Sequence, residues 1–498
     1  MFVQTGIRRL LTTRLSRNRF ATALSILSAI SLALGCRRDA SVPLTRVRSQ
    51  TATGPLRVNP ANRRYFTDAS GKAVYLAGDH TWSNLIDRGT LSPPKVAFDY
   101  DRCINWMVSH NFNFMRLWTA ELPDSGNTDD PYENFVGLPW KWSRTGPGYG
   151  DDGGLKFDLT RPDRDSYERT RSRIIKAANN GIYVSVMLFN GFEWQFESNA
   201  KDGNPFDVNN NINAVDCPRT CPTDSSQMSN DVWNYEQAYI RNVVDAVNDL
   251  DNVLYEVSNE AGAPYSDSWQ ARVIEFLKMY EATKPKQHPV GMTFQWKGGS
   301  DSTLYNSAAD WVSPAARFPH SGGVKVVIND TDHSYPWHDM KRDGKAAQRA
   351  WVWENFTIGN NIAFMDPYLV IWPGRNSPSG STADPHIGDA PDDYWDVIRD
   401  AIGVTLTYSN RINLIAMTPQ PSLSSTRYCL ANLGSEYLVY QPHAGTFTVT
   451  LAAGKYDYQW LDASTNRIAE SGILPVSDGD HSFRPPFRDD GVLYLRAH

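Results

Sequence analysis

The chain is poor in cysteine, with five in 498 residues, which excludes a disulfide-rich scaffold and leaves the fold to a packed core. Basic side chains are in deficit, 49 against 55 acidic ones, so the field around the protein repels nucleic acid and no such partner is expected. No P-loop, dinucleotide fingerprint, His-Glu-x-x-His run or Gly-x-Ser-x-Gly elbow occurs in a supporting context. Their absence removes the motif grounds for phosphoryl transfer, nicotinamide redox chemistry, zinc peptidases and serine hydrolases, and no cofactor is expected. Internal repeats and low-complexity tracts are also missing. What remains is ordinary globular stock, 41% hydrophobic and 21% charged, long enough for one large domain and a smaller companion. Aromatics are plentiful, with 16 Trp, 23 Tyr and 20 Phe; flat rings with polar edges pack cores and also stack on sugar faces.

The first 35 residues differ from the rest. Arg8, Arg9, Arg14, Arg17 and Arg19 precede an uncharged stretch of 16 residues, Phe20 to Gly35, that ends at Cys36. That is the layout of an export signal over 1–35, and the stretch falls short of the roughly 20 residues a spanning helix needs. The run Leu32-Ala-Leu-Gly-Cys36 resembles a bacterial lipobox, so Cys36 is the expected lipidation site and 36–55, polar and unpatterned, the tether. The expected location is the bacterial cell envelope, anchored by lipid at the outer membrane or cell surface, with periplasmic or plain secretion as the alternative. Arg8-Arg9 before Leu10-Leu11 is a hint of twin-arginine export. Removing residues 1–35 leaves 44 of the 49 basic residues against 55 acidic ones, a net charge of −11. In an oxidising compartment Cys217 and Cys221 form a local disulfide by their closeness, and no second Cys or His pair at zinc spacing accompanies them, so no metal is expected. Cys103 and Cys429 read as buried thiols.

From residue 56 onward, strand-like and helix-like segments alternate. Eight short apolar or β-branched runs occur, at 73–77, 113–118, 182–189, 253–257, 290–294, 310–313, 324–328 and 362–365. Between them lie helical patterns such as Val232, Tyr235, Tyr239, Val243, Val247 and Leu250, or Trp269, Val273, Phe276, Leu277 and Tyr280. Alternation of this kind builds a parallel sheet with helices outside it, and eight units predict an α/β fold of the (β/α)8 TIM barrel type over 56–418. Long loops at 119–163 and 190–230, rich in Gly, Asp, Asn, Trp and Pro, fall on the face where barrels keep their chemistry. Residues 419–498 change texture to short alternating strands split by Gly, Asp and Pro turns, the pattern of a small C-terminal β-sandwich.

In such a barrel the reacting groups project from the carboxyl ends of the strands. The fourth run ends in Asn259-Glu260. A carboxyl directly after an apolar strand, beside an amide that can hold a sugar hydroxyl, is what a glycosidase acid/base requires. The second run carries Arg116, the first Asp79, His80 and Trp82, the seventh Asp330, Asp332 and His333, and the eighth Asp366. Glu121 follows Arg116-Leu-Trp-Thr-Ala and competes for a place at the mouth, whereas Glu354 lies in a helical pattern and is set aside. Trp82, Trp118, Trp194, Trp296 and Trp372 are candidate stacking platforms.

Asp249-Leu-Asp-Asn-Val-Leu-Tyr-Glu-Val-Ser-Asn-Glu260 resembles the Asn-Glu signature of clan A glycoside hydrolases, which are retaining barrel enzymes. Together with Gly78-Asp-His-Thr-Trp-Ser-Asn84, Arg116-Leu-Trp, Tyr183-Val-Ser-Val-Met-Leu-Phe189 and Asn329-Asp-Thr-Asp-His333, it makes residues 56–498 similar to bacterial glycoside hydrolases with an apiosidase-like clan A barrel and a C-terminal domain of collagen-binding type. The resemblance implies a nucleophilic Glu at the end of the seventh strand, and this chain has none there. An aspartate is competent though one methylene shorter, with Asp332 ahead of Asp330, and His333 orients it or contacts substrate. The expected function is hydrolysis of O-glycosidic bonds in a polysaccharide or oligosaccharide, with Glu260 as acid/base; substrate contacts are expected from Asn259, Arg116, His80, Asp79, Trp82, Trp118, Glu121, His333, Trp296 and Asp366. The alternative is a non-catalytic, surface-anchored carbohydrate- or matrix-binding lipoprotein on a barrel scaffold.

Overall fold

The computed structural model describes residues 41–45, 51–82, 84–89, 97–122, 124–125, 135–196, 203–217, 220–368 and 392–498. The leader, Cys36 and Trp372 lie outside them. Eight parallel strands close into a barrel: β1 (Ala77–His80), β2 (Phe114–Leu117), β3 (Tyr183–Asn190), β4 (Val253–Asn259), β5 (Val290–Thr293), β6 (Trp311–Ser313), β7 (Val326–Asp330) and β8 (Asn361–Met365). Helices α1 (Tyr100–Ser109), α2 (Arg164–Ala178), α3 (Asn230–Val247), α4 (Asp267–Glu281), α5 (Asp301–Asn306), α6 (Trp337–Thr357) and α7 (Asp396–Ser409) pack outside it. Their starts follow local chemistry: Asp99 accepts from the Arg102 N–H to open α1 and Ser229 from the Val232 N–H to open α3. Among the described residues no helix joins β6 to β7, so one of the eight units is a bare loop.

One expected strand moves. Ala73–Val74 pairs with Phe66–Thr67 in a small antiparallel sheet that also contains Arg57–Val58, and the barrel strand begins only at Ala77. Two strictly separated cores show which side each residue faces. Leu76, Phe114, Tyr183, Leu254, Trp311, Val326 and Ile328 fill the barrel interior, while Ala77, Met115, Val184, Tyr255, Val312, Val327 and Phe364 face the helices. Alternation along each strand therefore sends His80, Arg116, Glu256 and Asp330 inward, and Asp79 outward. The interior is tight enough that a Cβ on Gly78 would lie 1.8 Å from the Phe114 carbonyl oxygen, and one on Gly291 1.9 Å from the Trp311 ring.

The C-terminal strands β9 (Cys429–Asn432), β10 (Glu436–Gln441), β11 (Phe447–Leu451), β12 (Gly454–Asp462), β13 (Arg467–Val476), β14 (Gly479–Phe483) and β15 (Gly491–Ala497) form two layers. One face of the large sheet, with Tyr437, Val439, Trp460, Leu493 and Leu495, packs under β11 and β14. The other, with Leu438, Tyr440, Leu461, Val492 and Tyr494, continues the core around the barrel helices. Buried Asp490 takes Arg349 of α6 and the Tyr440 hydroxyl, tying the two domains by charge as well as by packing. Val42–Pro43, read from sequence as part of a free tether, pairs with Ile468 and Arg467 at the edge of β13, where the extended Val-Pro segment satisfies an open strand edge.

Candidate active site

Arg116 organises the carboxyl end of the barrel. Its Nε and Nη2 donate to Glu256 Oε2 and Oε1 at 2.9 and 2.6 Å, its Nη1 to Asp330 Oδ2 at 2.7 Å, and Nη2 again to Asn259 Oδ1 at 3.0 Å. Burial alone would weaken the guanidinium's hold on its proton, but Glu256 and Asp330 reverse this and its pKa is raised. Glu256 escaped the sequence reading as a site residue, although an acid inside the apolar run Val253–Val257, in step with Leu254 and Ser258, signals an interior partner. Trp118 covers the assembly, stacked on His80 at 5.3 Å and with the Arg116 guanidinium 5.1 Å from its ring centre.

Asp330 is fully occupied. Its Oδ1 accepts from His80 Nε2 at 3.0 Å and from the Asp332 N–H at 2.9 Å, capping the helical turn Thr331–Ser334, while Oδ2 takes Arg116. Burial opposes its ionisation, yet His80 and Arg116 override that and hold the carboxyl well below the usual range. Asp330 has no oxygen without a protein partner and no exposed surface, the geometry of a group that holds its neighbours in place, against the expectation of a reacting carboxylate there.

Glu260, Asp332 and His333 converge at the mouth, with one carboxylate oxygen from each acid and one imidazole nitrogen all within 4.8 Å of one another. The Glu260 backbone stands at φ +43°, in the left-handed region that disfavours side chains, as strained functional positions often do. Burial, then the charge of Asp332, raises the Glu260 pKa well above the ordinary carboxylate range, with Arg116 opposing. His333 Nε2 lies 3.9 Å from Glu260 Oε1 and 3.5 Å from Asp332 Oδ2. Burial lowers the His333 pKa against the pull of Asp332, so the ring is neutral near pH 7, and Nε2–H donates to Asn259 Oδ1 at 3.3 Å. Held by both Arg116 and His333, the Asn259 amide turns its Nδ2 away from them, without a protein partner among the described residues. Asp332 Oδ2 also has no hydrogen bond, though Arg116 Nη1 stands 3.7 Å away. The three converging groups could also hold a divalent cation, which would displace the Glu260 proton.

Tryptophans line one side. Trp82 lies 6.5 Å from Trp118 and 5.6 Å from Trp337, ring centre to ring centre. Trp337 was not singled out from sequence, because it opens α6 and reads as an ordinary helix residue. Trp296 is exposed after β5, and its carbonyl takes the Ala263 N–H just beyond Glu260. Trp194 is buried.

Three expected substrate contacts are corrected. Asp79 faces the helix layer near Tyr100, Cys103 and Asp366, because it sits one residue out of phase with His80. Asp366 continues that outward phase from Ile362 and Phe364, and both its oxygens are held by Arg399 of α7 at 2.9 and 2.7 Å. Glu121 is buried, with its carboxylate taken by Lys141 at 2.6 Å and by the Asn190 N–H at 2.7 Å. Glu354 lies on α6, as the helical pattern predicts. The Cys217 and Cys221 sulfurs are bonded, with Cα atoms 5.6 Å apart, and Cys103 and Cys429 are free and buried.

No protein-family model and no curated protein matches the chain. Among solved structures it is similar to a glycoside hydrolase family 5 protein from Bacteroides vulgatus, with a TM-score of 0.58 at 13% identity over 90% of this chain and 95% of that one. A protein described as a glycoside hydrolase matches with a TM-score of 0.55 at 12% identity, covering 90% of this chain and 99% of that one. A second Bacteroides vulgatus protein matches with a TM-score of 0.60 at 12% identity over 90% of this chain and 83% of that one. Likeness at such identity establishes the shared barrel fold.

Proposed function

We propose that the chain is a glycoside hydrolase that cleaves O-glycosidic bonds of a polysaccharide or oligosaccharide with retention of configuration. One observation carries the reading: a buried carboxyl with raised proton affinity, Glu260, has an oxygen within 4.8 Å of an Asp332 oxygen that no hydrogen bond occupies. Retaining enzymes set their two carboxyls about 5–5.5 Å apart, whereas inversion needs a wider gap for water. Glu260 protonates the glycosidic oxygen as Asp332 attacks the anomeric carbon, forming a glycosyl-aspartate and releasing the leaving alcohol. Esterification removes the negative charge that, after burial, had raised the Glu260 pKa. Glu260, having given up its proton, then becomes the base that draws a proton from water, and hydroxide displaces Asp332. Asn259 Nδ2 donates to a sugar hydroxyl in this reading, supported by the Arg116 and His333 contacts that take its Oδ1, and Trp82 and the exposed Trp296 are the stacking candidates.

Glycan turnover by wild type, Glu260→Gln and Asp332→Asn tests this. Unchanged activity in either variant overturns the assignment, and binding without turnover in wild type favours the surface-binding alternative. Export and lipid attachment at Cys36 belong to the same proposal, supported by the leader's layout; labelled palmitate incorporated into wild type and not into Cys36→Ser checks it. The apiosidase-like relationship and the collagen-binding type of the C-terminal domain rest on the sequence segments alone, and a triple-helical peptide pull-down tests the latter.

A further inference from the structure

A second cavity, of about 360 Å³, opens where the barrel meets the C-terminal domain, lined among others by Phe318, His320, Glu354, Ile358, Arg427 and Tyr428. Its size falls within the roughly 300–1,000 Å³ of small-molecule sites. It lies away from the catalytic mouth. Asn360, which directly precedes β8, donates to the Pro319 carbonyl, placing this loop by the amino end of that strand, whereas Glu260 follows the carboxyl end of β4.

Two solvent-exposed side chains that can donate to an anion, Arg427 and His320, border this cavity. Neither the Arg427 guanidinium nor the His320 imidazole has a hydrogen-bond or ion-pair partner among the described residues. Arg427 is held at φ +70°, a conformation that costs a long side chain energy, and the residue that aims this guanidinium is not one of those that favour the turn. The Phe318 and Tyr428 rings line it, and the Tyr428 hydroxyl stands by the Glu354 carboxyl; burial, then the charge of that carboxyl, raises the hydroxyl's pKa to about 12. We infer that this cavity binds a uronic acid unit of a glycan: its carboxylate pairs with Arg427 and His320, its ring lies against Phe318 and Tyr428, and its hydroxyls meet Glu354. Burial raises the Glu354 pKa, and its carboxyl oxygens can accept from a sugar hydroxyl. The site is independent of turnover at Glu260 and would hold an acidic chain while another part of it is cut.

The test uses the full chain and ligand-observed NMR titration with D-galacturonate, D-glucuronate, D-galactose and benzoate. At least one uronate is expected to bind saturably, at least tenfold tighter than galactose, and Arg427→Asn is expected to weaken it at least tenfold. Asparagine tolerates positive φ, so this variant removes the charge and keeps the turn. Glu354→Gln checks the hydroxyl contact and should weaken uronate binding less than Arg427→Asn. Absence of saturable uronate binding, equal affinity for galactose, tighter binding of benzoate, or no effect of Arg427→Asn in a variant that melts with wild type would each overturn the inference.

Discussion

Replacing Arg116 by Met should do more damage to stability than its single-residue footprint suggests. The guanidinium is the shared counter-charge of two buried acids, Glu256 and Asp330, at 2.6 and 2.7 Å. Breaking one buried pair by removing a partner costs about 3–5 kcal/mol, because the remaining charge is stranded. Glu256 is left without its cation while Asp330 keeps His80 and the Asp332 N–H, so the loss should fall in that range, a large fraction of a stability of ~5–15 kcal/mol. The pH dependence follows from the sign of the shifts. In wild type Asp330 is depressed, so its contribution is present above the ordinary carboxylate range and is lost as pH falls through its folded pKa. In Arg116→Met, Asp330 loses one of the groups that hold its carboxyl down, so its folded pKa rises and its contribution at neutrality shrinks. The deficit should therefore be greatest near neutrality and narrow as pH falls through the Asp330 titration, and adding Glu256→Gln, which removes the stranded charge, should recover part of it at neutrality. Urea titration followed by tryptophan fluorescence at several pH values measures this. A loss under about 1 kcal/mol, or one that does not change with pH, would refute the reasoning.

Because Glu260 must carry a proton to act and its pKa is raised, activity should persist well above the ordinary carboxylate range of about 4.3 and fall on the alkaline side. A pH–rate profile checks this, and an alkaline limb centred near that ordinary value contradicts it. Glu260→Gln should lose about 10²–10⁴-fold on substrates with poor leaving groups and far less on activated aryl glycosides, a split that steady-state kinetics reads. Gly78→Ala places a methyl 1.8 Å from the Phe114 oxygen, so the barrel must shift at a cost of about 1–3 kcal/mol or more, seen as a lowered melting temperature. Asp490→Asn removes the charge that Arg349 and Tyr440 share across the two domains and should lower stability by about 3 kcal/mol in denaturant titration.

Much of the barrel was legible in the sequence, because buried parallel strands are continuous apolar runs and the helices between them keep a clean 3.6-residue period. The first strand was displaced because Ala73–Val74 has the same composition as a barrel strand and pairs instead with Phe66–Thr67. Within the site, a strand-end position marks Glu260 in the sequence, whereas the direction a side chain faces depends on its phase along the strand. Asp79 and His80 are neighbours in sequence and point to opposite sides of the sheet, so the two-residue alternation lets only one of them reach the barrel mouth. The same alternation would have marked Glu256 as interior. Asp366 and Glu121 failed for another reason: their partners, Arg399 and Lys141, lie 33 and 20 residues away along the chain, and no local pattern announces such pairs. Asp330 and Asp332 were separable only once the His80 and Arg116 contacts were seen.

The most direct test of the two-carboxylate site is to trap the glycosyl-enzyme. A panel of 2-deoxy-2-fluoro glycosides with activated leaving groups, incubated with wild type and read by intact mass and peptide mapping, should give a covalent adduct on Asp332, absent from Asp332→Asn. An adduct on Asp330 or Glu260, or turnover of a natural glycan to the inverted anomer, would contradict the account.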